Sequence, residues 1–147
     1  MPEIKKIVLT GGPCAGKTTA LVKITEYFSG FGYKVFNVPE VPTIYSTAGW
    51  NYLTPNRDLY YQGERAILET QLSLEDSFLH LAEVCTKPVL IVCDRGTMDI
   101  SAYIKPEEWQ EITAMPLPST TPRRNIPSST SWAAAASSRP TGCMTDA

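Results

Sequence analysis

Short apolar runs alternate with helical patterns along residues 1–114 of the chain. Apolar runs typical of parallel strands occupy 4–10, 33–38 and 88–93. The last run is apolar throughout, as expected for a strand covered on both faces. Spacings of three and four residues predict helices over 17–29 and 58–84, and another helix begins at Pro106. This alternation predicts an α/β fold in which a parallel sheet of about three strands is flanked by helices.

The segments between these elements are shorter or contain several prolines. Residues 39–56 predict a loop that holds a short helical turn, and residues 98–104 predict a loop or a short helix. The apolar faces of the two long helices predict the core positions, because residues three and four apart share one side of a helix. These positions are Ala20, Leu21, Ile24 and Phe28 in the first helix, and Ile67, Leu68, Leu72, Phe78, Leu79 and Ala82 in the second.

Residues 115–147 have a different composition from the rest of the chain. They contain five prolines, six serines and five threonines, and no hydrophobic period continues into them. Such a segment buries too little apolar surface to offset the entropy of an ordered chain. We therefore expect a partial domain over 1–114 and a disordered Pro/Ser/Thr-rich tail over 115–147. The abrupt change is typical of a truncated product, and an altered reading frame or a retained intron would give it.

Composition and charge narrow the class of protein. The 147 residues carry 13 Lys and Arg against 15 Asp and Glu, a net charge of −2. A nucleic-acid-binding protein needs a basic face, so no nucleic-acid partner is expected. There is no apolar run of transmembrane length, no signal-peptide core at the start, and no paired spacing among the four cysteines. These features favour a cytoplasmic protein with reduced thiols.

The most specific motif lies between the first strand and the first helix. Residues 11–18 match Gly-x4-Gly-Lys-Thr, the phosphate-binding P-loop. The loop amides and the helix N-terminus would surround the phosphates of ATP or GTP. Lys17 would reach the β- and γ-phosphates, and the Thr18 hydroxyl would ligate Mg²⁺. The predicted nucleotide-binding residues are Gly11, Gly12, Pro13, Cys14, Ala15, Gly16, Lys17, Thr18 and Thr19.

Two of the predicted strands end near an acidic residue. Asp94 follows the apolar run of the third strand and fits a Walker B carboxylate that helps to hold Mg²⁺, or it caps the next turn. Glu40 follows the second strand and would accept a hydroxyl proton, hold an acceptor hydroxyl, or lie solvated in a loop. Arg95 would contact a phosphate as a forked donor. Together with Lys17, these three residues form the predicted catalytic set.

The absence of two sequence motifs narrows the reactions that the chain is expected to catalyse. Arg95 occupies the position where ATPases that activate water usually carry a glutamate, and the chain lacks the Asn-Lys-x-Asp motif with which GTPases read guanine. Both observations favour transfer to an acceptor other than water, or binding without turnover. Aromatic residues near the second loop would form the wall of a base site or pack in the core; these are Trp50, Tyr52, Tyr60 and Tyr61.

Three segments together resemble the TRPL translocation-defect family. They are Ile7–Thr19 with the P-loop, Asn37–Thr43 with Glu40, and Cys93–Asp99 with Asp-Arg-Gly. The resemblance covers about residues 4–114 and implies an AAA-like, nicotinamide-riboside-kinase-like NTPase domain that binds ATP or GTP with Mg²⁺. It also implies a longer protein with a second domain of the triphosphate-tunnel type. The Asp-Arg-Gly element and Glu40 are similar to those of nucleoside and nucleotide kinases.

Three functional hypotheses follow from the sequence. The first is a regulatory or trafficking module that binds a nucleoside triphosphate with Mg²⁺. The second is a small-molecule kinase that transfers the γ-phosphoryl group to a hydroxyl, with Asp94 or Glu40 as the base. The third is an inactive truncated product. Since strands that pair beside the first strand in such folds are missing, its edge would be exposed and would bind a protein partner or a second copy.

Overall fold

The computed structural model describes residues 2–12 and 14–114. Pro13 and the predicted tail lie outside these residues, so the predictions made for them remain predictions. The elements follow one another as β1 (Ile4–Leu9), α1 (Lys17–Gly30), β2 (Lys34–Val38), α2 (Val41–Thr47), α3 (Arg57–Glu83), β3 (Val89–Asp94), the 3₁₀ helix η1 (Thr97–Ala102) and α4 (Pro106–Ala114). The predicted α/β class is confirmed, and the predicted boundaries differ from these by one residue at most of the element ends.

The three strands form one parallel sheet in the order β1-β3-β2. Strand β3 is the middle strand: Ile4 pairs with Val89 on one side of it, and Lys34 pairs with Val89 on the other. The first five residues of β3 are buried, which agrees with the uninterrupted apolar run in the sequence. Because the strands are parallel, the chain segments that leave β1, β2 and β3 emerge at one edge of the sheet.

Helix α3 covers one face of the sheet. The side chain of Asn56 caps its first turn by accepting a hydrogen bond of 3.1 Å from the Leu59 amide. The second half of α3 packs on alternate residues of β3, and the buried members of this cluster are Val38, Ala82, Val89, Ile91 and Cys93. An ion pair between Lys6 of β1 and Glu75 of α3 also joins the helix to the sheet.

The first half of α3 forms a second core with the segments at the carboxyl edge of the sheet. Its buried residues are Val41 of α2, Ile67 and Leu68 of α3, Ile100 of η1 and Ile112 of α4. Residues 39–56 were predicted as a loop with a short helical turn, and α2 is that turn in the form of a seven-residue helix. This second core fixes η1 and α2 beside the ends of β2 and β3.

Helix α1 lies against β2 and β3 and is less buried than its pattern predicts. The expected face of Ala20, Leu21, Ile24 and Phe28 is half-buried, and no residue of α1 is fully buried. Strand β1 is likewise only half-buried along most of its length. Within the described part of the chain, β1 pairs with β3 alone.

Candidate functional site

The loop between β1 and α1 delivers the N-terminus of a helix to the carboxyl edge of the sheet. Gly16 adopts a left-handed backbone with φ +77°, which turns the chain so that α1 begins at Lys17. No side chain caps this helix, and its first turn contains no acidic residue. In contrast, α3 begins with a side-chain cap and an aspartate. The first amides of α1 are therefore left for an external anion.

Lys17 lies over this loop. Its Nζ donates hydrogen bonds to the main-chain oxygens of Gly11 at 2.8 Å and Gly12 at 2.9 Å. The side chains of Thr18 and Thr19 are exposed, and Cys14 is exposed with a left-handed backbone at φ +58°. The loop therefore presents a lysine ammonium, two hydroxyls and a helix N-terminus on one surface.

Asp94 ends β3 directly beside the strand that leads into the loop, since it pairs with Leu9 in the sheet register. Its Oδ1 is buried and has no hydrogen-bond partner within the described part of the chain. Burial raises the pKa of this carboxyl and the negative charge of Glu40 adds to the effect, while Lys17 and Arg95 oppose it. A buried carboxylate oxygen without a partner is the arrangement expected of a group that ligates a cation or a bound water.

Glu40 and Arg95 lie 55 positions apart in the sequence and form an ion pair where β2 and β3 end. Burial would raise the pKa of Glu40, but hydrogen bonds from Thr43 and Arg95 and the charges of Arg95 and Lys17 lower it below its ordinary value. The Thr43 hydroxyl donates to Glu40 at 2.6 Å. Glu40 is therefore held in its ionised form.

The position of Arg95 is fixed through its backbone as well as its side chain. The residue has a left-handed backbone at φ +73°, an uncommon conformation for a residue with a side chain. Its amide donates to the Leu9 oxygen at 2.9 Å, and its carbonyl accepts from Gln71 Nε2 at 3.3 Å. Its Nη1 donates to the Tyr103 hydroxyl at 2.8 Å. The guanidinium is thus directed toward Glu40 and Tyr103.

The structure therefore brings the predicted catalytic residues together at one edge of the sheet. The charges of Lys17, Glu40 and Arg95 all act on Asp94, although the four residues come from three separate segments. Two arginines near the start of α3 form ion pairs outside this cluster. Arg57 pairs with Glu108, and Arg65 pairs with Glu69. Of the aromatic residues, Tyr52 and Tyr60 line a cavity beside Arg95. Tyr52 and Tyr61 pack against the second core.

Sequence reasoning gave no role to Asp99, which ties η1 to the start of the loop. Thr10 Oγ1 donates to Asp99 Oδ1 at 2.8 Å, and the Gly96 amide donates to Asp99 Oδ2 at 3.3 Å. Only the Asp99 half of a capping box is present, because Gly96 has no side chain to accept a hydrogen bond, so the sequence offered no complete capping motif here. Glu64, which is only 4% exposed on α3, was also missed, because a glutamate in an amphipathic helix is expected on the polar side.

The donor set has a composition that suits Mg²⁺ bound together with phosphates. Mg²⁺ prefers oxygen ligands and usually keeps several waters while one or two carboxylates and substrate phosphates complete its shell. Asp94 supplies a buried carboxylate oxygen without a partner, and Thr18 supplies a hydroxyl at the helix start. The described residues contain no cluster of three or more acidic, histidine or cysteine side chains that would hold an ion by themselves.

Comparison with protein-family models identifies a family for this chain. A model described as an AAA domain matches residues 6–124, which include most of β1, the loop, β2 and β3 with Asp94. The match continues past residue 114, where the sequence pattern changes, to residue 124. No curated protein matches the chain, and no solved structure matches it. The AAA-like part of the resemblance is thereby confirmed, while the TRPL translocation-defect family remains a prediction. Among the helices that the structure describes, none is long and apolar enough to cross a membrane.

Proposed function

The chain belongs to the AAA domain family, and from that premise we propose that it binds ATP or GTP together with Mg²⁺ at the loop between β1 and α1. The observation that carries the proposal is the uncapped start of α1, with Lys17 beside it and no acidic side chain in the first turn. An anion placed there would receive hydrogen bonds from the helix amides and a full positive charge from Lys17.

The proposed metal site consists of Thr18 and Asp94. Mg²⁺, when bound, would neutralise part of the triphosphate charge. Asp94 supports this role because its unpartnered Oδ1 lies beside the strand that leads into the loop. Removing the metal should therefore weaken nucleotide binding in the wild-type chain.

The nucleotide site is tested by two lysine variants of the same helix. Lys17→Ala removes the ammonium that lies over the loop, whereas Lys23→Ala removes an exposed lysine farther along α1. A charge-assisted hydrogen bond contributes enough that Lys17→Ala should weaken Mg-nucleotide binding by about tenfold or more. Titration with fluorescent ATP and GTP analogues measures both variants. Equal affinities for Lys17→Ala and Lys23→Ala would place the nucleotide elsewhere.

The metal site is tested in the same titration with and without Mg²⁺. Asp94→Asn removes a charge but little volume, so it should weaken Mg-nucleotide much more than metal-free nucleotide. Asp76→Asn, an exposed aspartate of α3, is the matched control and should change neither affinity. The same loss for Asp94→Asn in both conditions would reject a metal role. If the wild-type chain binds neither nucleotide, the hypothesis of an inactive truncated product is favoured instead.

We assign this binding to a regulatory or trafficking module in the cytoplasm, in line with the TRPL resemblance. A module of this kind needs a protein partner, and the edge of β1 that β3 leaves unpaired in the described residues supports one. Light scattering coupled to gel filtration tests self-association through this edge. The amides of Lys6 and Val8 point to this free edge, since Glu3 and Leu9 bond to β3 and alternate residues face alternate sides. A mass that rises with concentration, and falls when Lys6 and Val8 are replaced by proline, is the expected result; a monomer at all concentrations would leave only a different protein as the partner.

A second candidate function is phosphoryl transfer to a small alcohol, and the Glu40–Arg95 pair favours it. The acceptor oxygen would form a bond to the γ-phosphorus while the bond to the β–γ bridging oxygen breaks, and the hydroxyl proton would leave to Glu40 or to water. Because the pKa of Glu40 is lowered, it is better suited to hold the hydroxyl by a hydrogen bond than to take its proton early. Acceptor-dependent release of ADP or GDP, abolished in Glu40→Gln, would support this function, and release that does not depend on an acceptor would refute it.

A further inference from the structure

A cavity of about 350 Å³ opens beside the nucleotide loop, between α2, α3 and η1. Its walls are largely apolar and aromatic, and they include Tyr52, Tyr60, Ile67, Ile100 and Tyr103. The volume lies at the lower end of the range for small-molecule sites. None of the residues described in the loop, 11–12 and 14–19, lines this cavity, so it is a separate space from the proposed phosphate site.

Three tyrosines form flat walls of the cavity. Tyr52 comes from the loop before α3, Tyr60 from the first turn of α3, and Tyr103 from the residue after η1. The rings of Tyr52 and Tyr60 are half-buried, while Tyr103 is 54% exposed and lies at the opening. The Tyr60 hydroxyl donates to the Tyr103 carbonyl at 3.1 Å, which holds the two walls together. Aromatic faces of this kind stack on planar rings with little regard to ring identity.

The polar groups in the cavity favour an uncharged ligand. Among the described residues that line it, Arg95 alone is basic, and the guanidinium is already neutralised by Glu40 and bonded to the Tyr103 hydroxyl at 2.8 Å. The acidic lining residues are Glu64 and Asp99. An anionic ligand would therefore meet negative carboxylates and a cation that is already paired, and would gain little.

Glu64 is the polar group that a ligand in the cavity would meet at depth. It is 4% exposed, and burial raises the pKa of its carboxyl, an effect that the nearby Tyr60 hydroxyl partly opposes. A carboxyl group has room for more than one hydrogen bond, so a ligand with N–H or O–H donors would satisfy the remaining capacity. Gln71 adds an amide beside Arg95.

We propose that this cavity is a second binding site, which takes a neutral nucleoside: a planar ring joined to a sugar whose hydroxyl groups donate hydrogen bonds. Bound there, the planar ring lies between the tyrosines and a sugar hydroxyl faces the Glu40–Arg95 pair at the edge of the sheet. The inference deepens the second candidate function, because it names the class of alcohol that would accept a phosphoryl group. The binding itself requires neither nucleotide nor turnover.

Calorimetric titration of the full chain tests the site, with adenosine, guanosine, cytidine and thymidine as probes and their 5′-monophosphates as charged counterparts. At least one nucleoside should bind, and its monophosphate should bind about fivefold more weakly or worse, since the cavity offers no free cation. Saturating MgATP should not displace the nucleoside. Absence of binding by all four nucleosides, tighter binding of the monophosphates, or displacement by MgATP would each overturn the proposal.

Two matched tyrosine variants locate the bound nucleoside. Tyr103→Ala removes the wall at the opening, and Tyr27→Ala removes a tyrosine of α1 that is 62% exposed and far from the cavity lining. Loss of one stacking partner should weaken nucleoside binding about fivefold or more in Tyr103→Ala and leave Tyr27→Ala unchanged. Glu64→Gln keeps the shape of the cavity and should also weaken binding, by about fivefold, because a charged acceptor is replaced by a neutral one. Unchanged binding in both Tyr103→Ala and Glu64→Gln would overturn the proposal.

Lys17→Ala separates this proposal from the nucleotide site. It should weaken Mg-nucleotide binding but leave nucleoside binding at the wild-type level. Loss of nucleoside binding in Lys17→Ala would show that the nucleoside occupies the nucleotide site, and would contradict a second site. Loss of nucleotide binding alone leaves the cavity proposal intact.

Discussion

Replacement of Gly63 by alanine should destabilise the protein, although alanine is the better helix former. Gly63 lies within α3, where the indole of Trp50 packs against its backbone. Three ring carbons of Trp50 lie within 2.6 Å of the place that a Cβ would take. The ring cannot retreat freely, since the Trp50 amide donates to the Tyr45 oxygen at 2.9 Å and the indole packs edge-on against Tyr52, with ring centres 6.2 Å apart.

The size of the effect follows from two opposing contributions. Carbon atoms pack at about 3.5–4.0 Å, so the indole must move by about 1 Å or more, and forced overpacking of this kind costs about 1–3 kcal/mol. Alanine in a helix interior recovers about 0.8–1.0 kcal/mol relative to glycine. The net expectation is a loss of about 0–2 kcal/mol in the free energy of unfolding.

Gly30→Ala is the matched control, because a Cβ on this glycine at the end of α1 would meet nothing within 4 Å. It should stabilise the protein by up to about 1 kcal/mol. Urea unfolding of both variants, followed by circular dichroism, gives the difference directly. In a Trp50→Ala background the penalty of Gly63→Ala should disappear, since the ring that it strikes is gone. If Gly63→Ala stabilises the wild-type chain as much as Gly30→Ala does, the packing of Trp50 described above is wrong.

Two further predictions concern charge and backbone. Burial raises the pKa of Glu64 above its ordinary value of 4.5, so its contribution to stability is present at low pH and is lost as pH rises through the raised pKa. Glu64→Gln should therefore be more stable than the wild type at neutral pH, and its free energy of unfolding should change less with pH above pH 4.5. Glu26→Gln, at an exposed position of α1, is the control and should follow the wild-type dependence on pH. Urea unfolding at several pH values measures both variants. Arg95→Gly should be about 1 kcal/mol more stable than Arg95→Ala in thermal unfolding, because only glycine adopts the left-handed backbone without cost; equal stabilities would contradict that backbone conformation.

Local patterns in the sequence were enough to predict most of the fold. The strand and helix positions depend on hydrophobic periods within each segment, and parallel pairing follows from their alternation. The placement of Glu40 and Asp94 at one edge of the sheet follows as well, because parallel strands end on the same side. The short helix α2 was harder to predict, since Pro42 lies in its first turn and the surrounding residues have loop composition.

Contacts between distant segments could not be predicted in the same way. The ion pair between Glu40 and Arg95 depends on the left-handed backbone of Arg95, for which the sequence offers no signal at a residue other than glycine. The burial of Glu64 depends on where η1 packs against α3, and that packing is set by tertiary contacts. The low burial of α1 depends on which elements pack against it, and the pattern of α1 itself does not encode that packing.

The central claim is that the loop between β1 and α1 holds a nucleoside triphosphate. The most direct test is a titration of the wild-type chain and Lys17→Ala with a fluorescent ATP analogue in the presence of Mg²⁺. The account predicts saturable binding to the wild type and binding at least about tenfold weaker in Lys17→Ala, with Lys23→Ala indistinguishable from the wild type. The same affinity for all three proteins would contradict it.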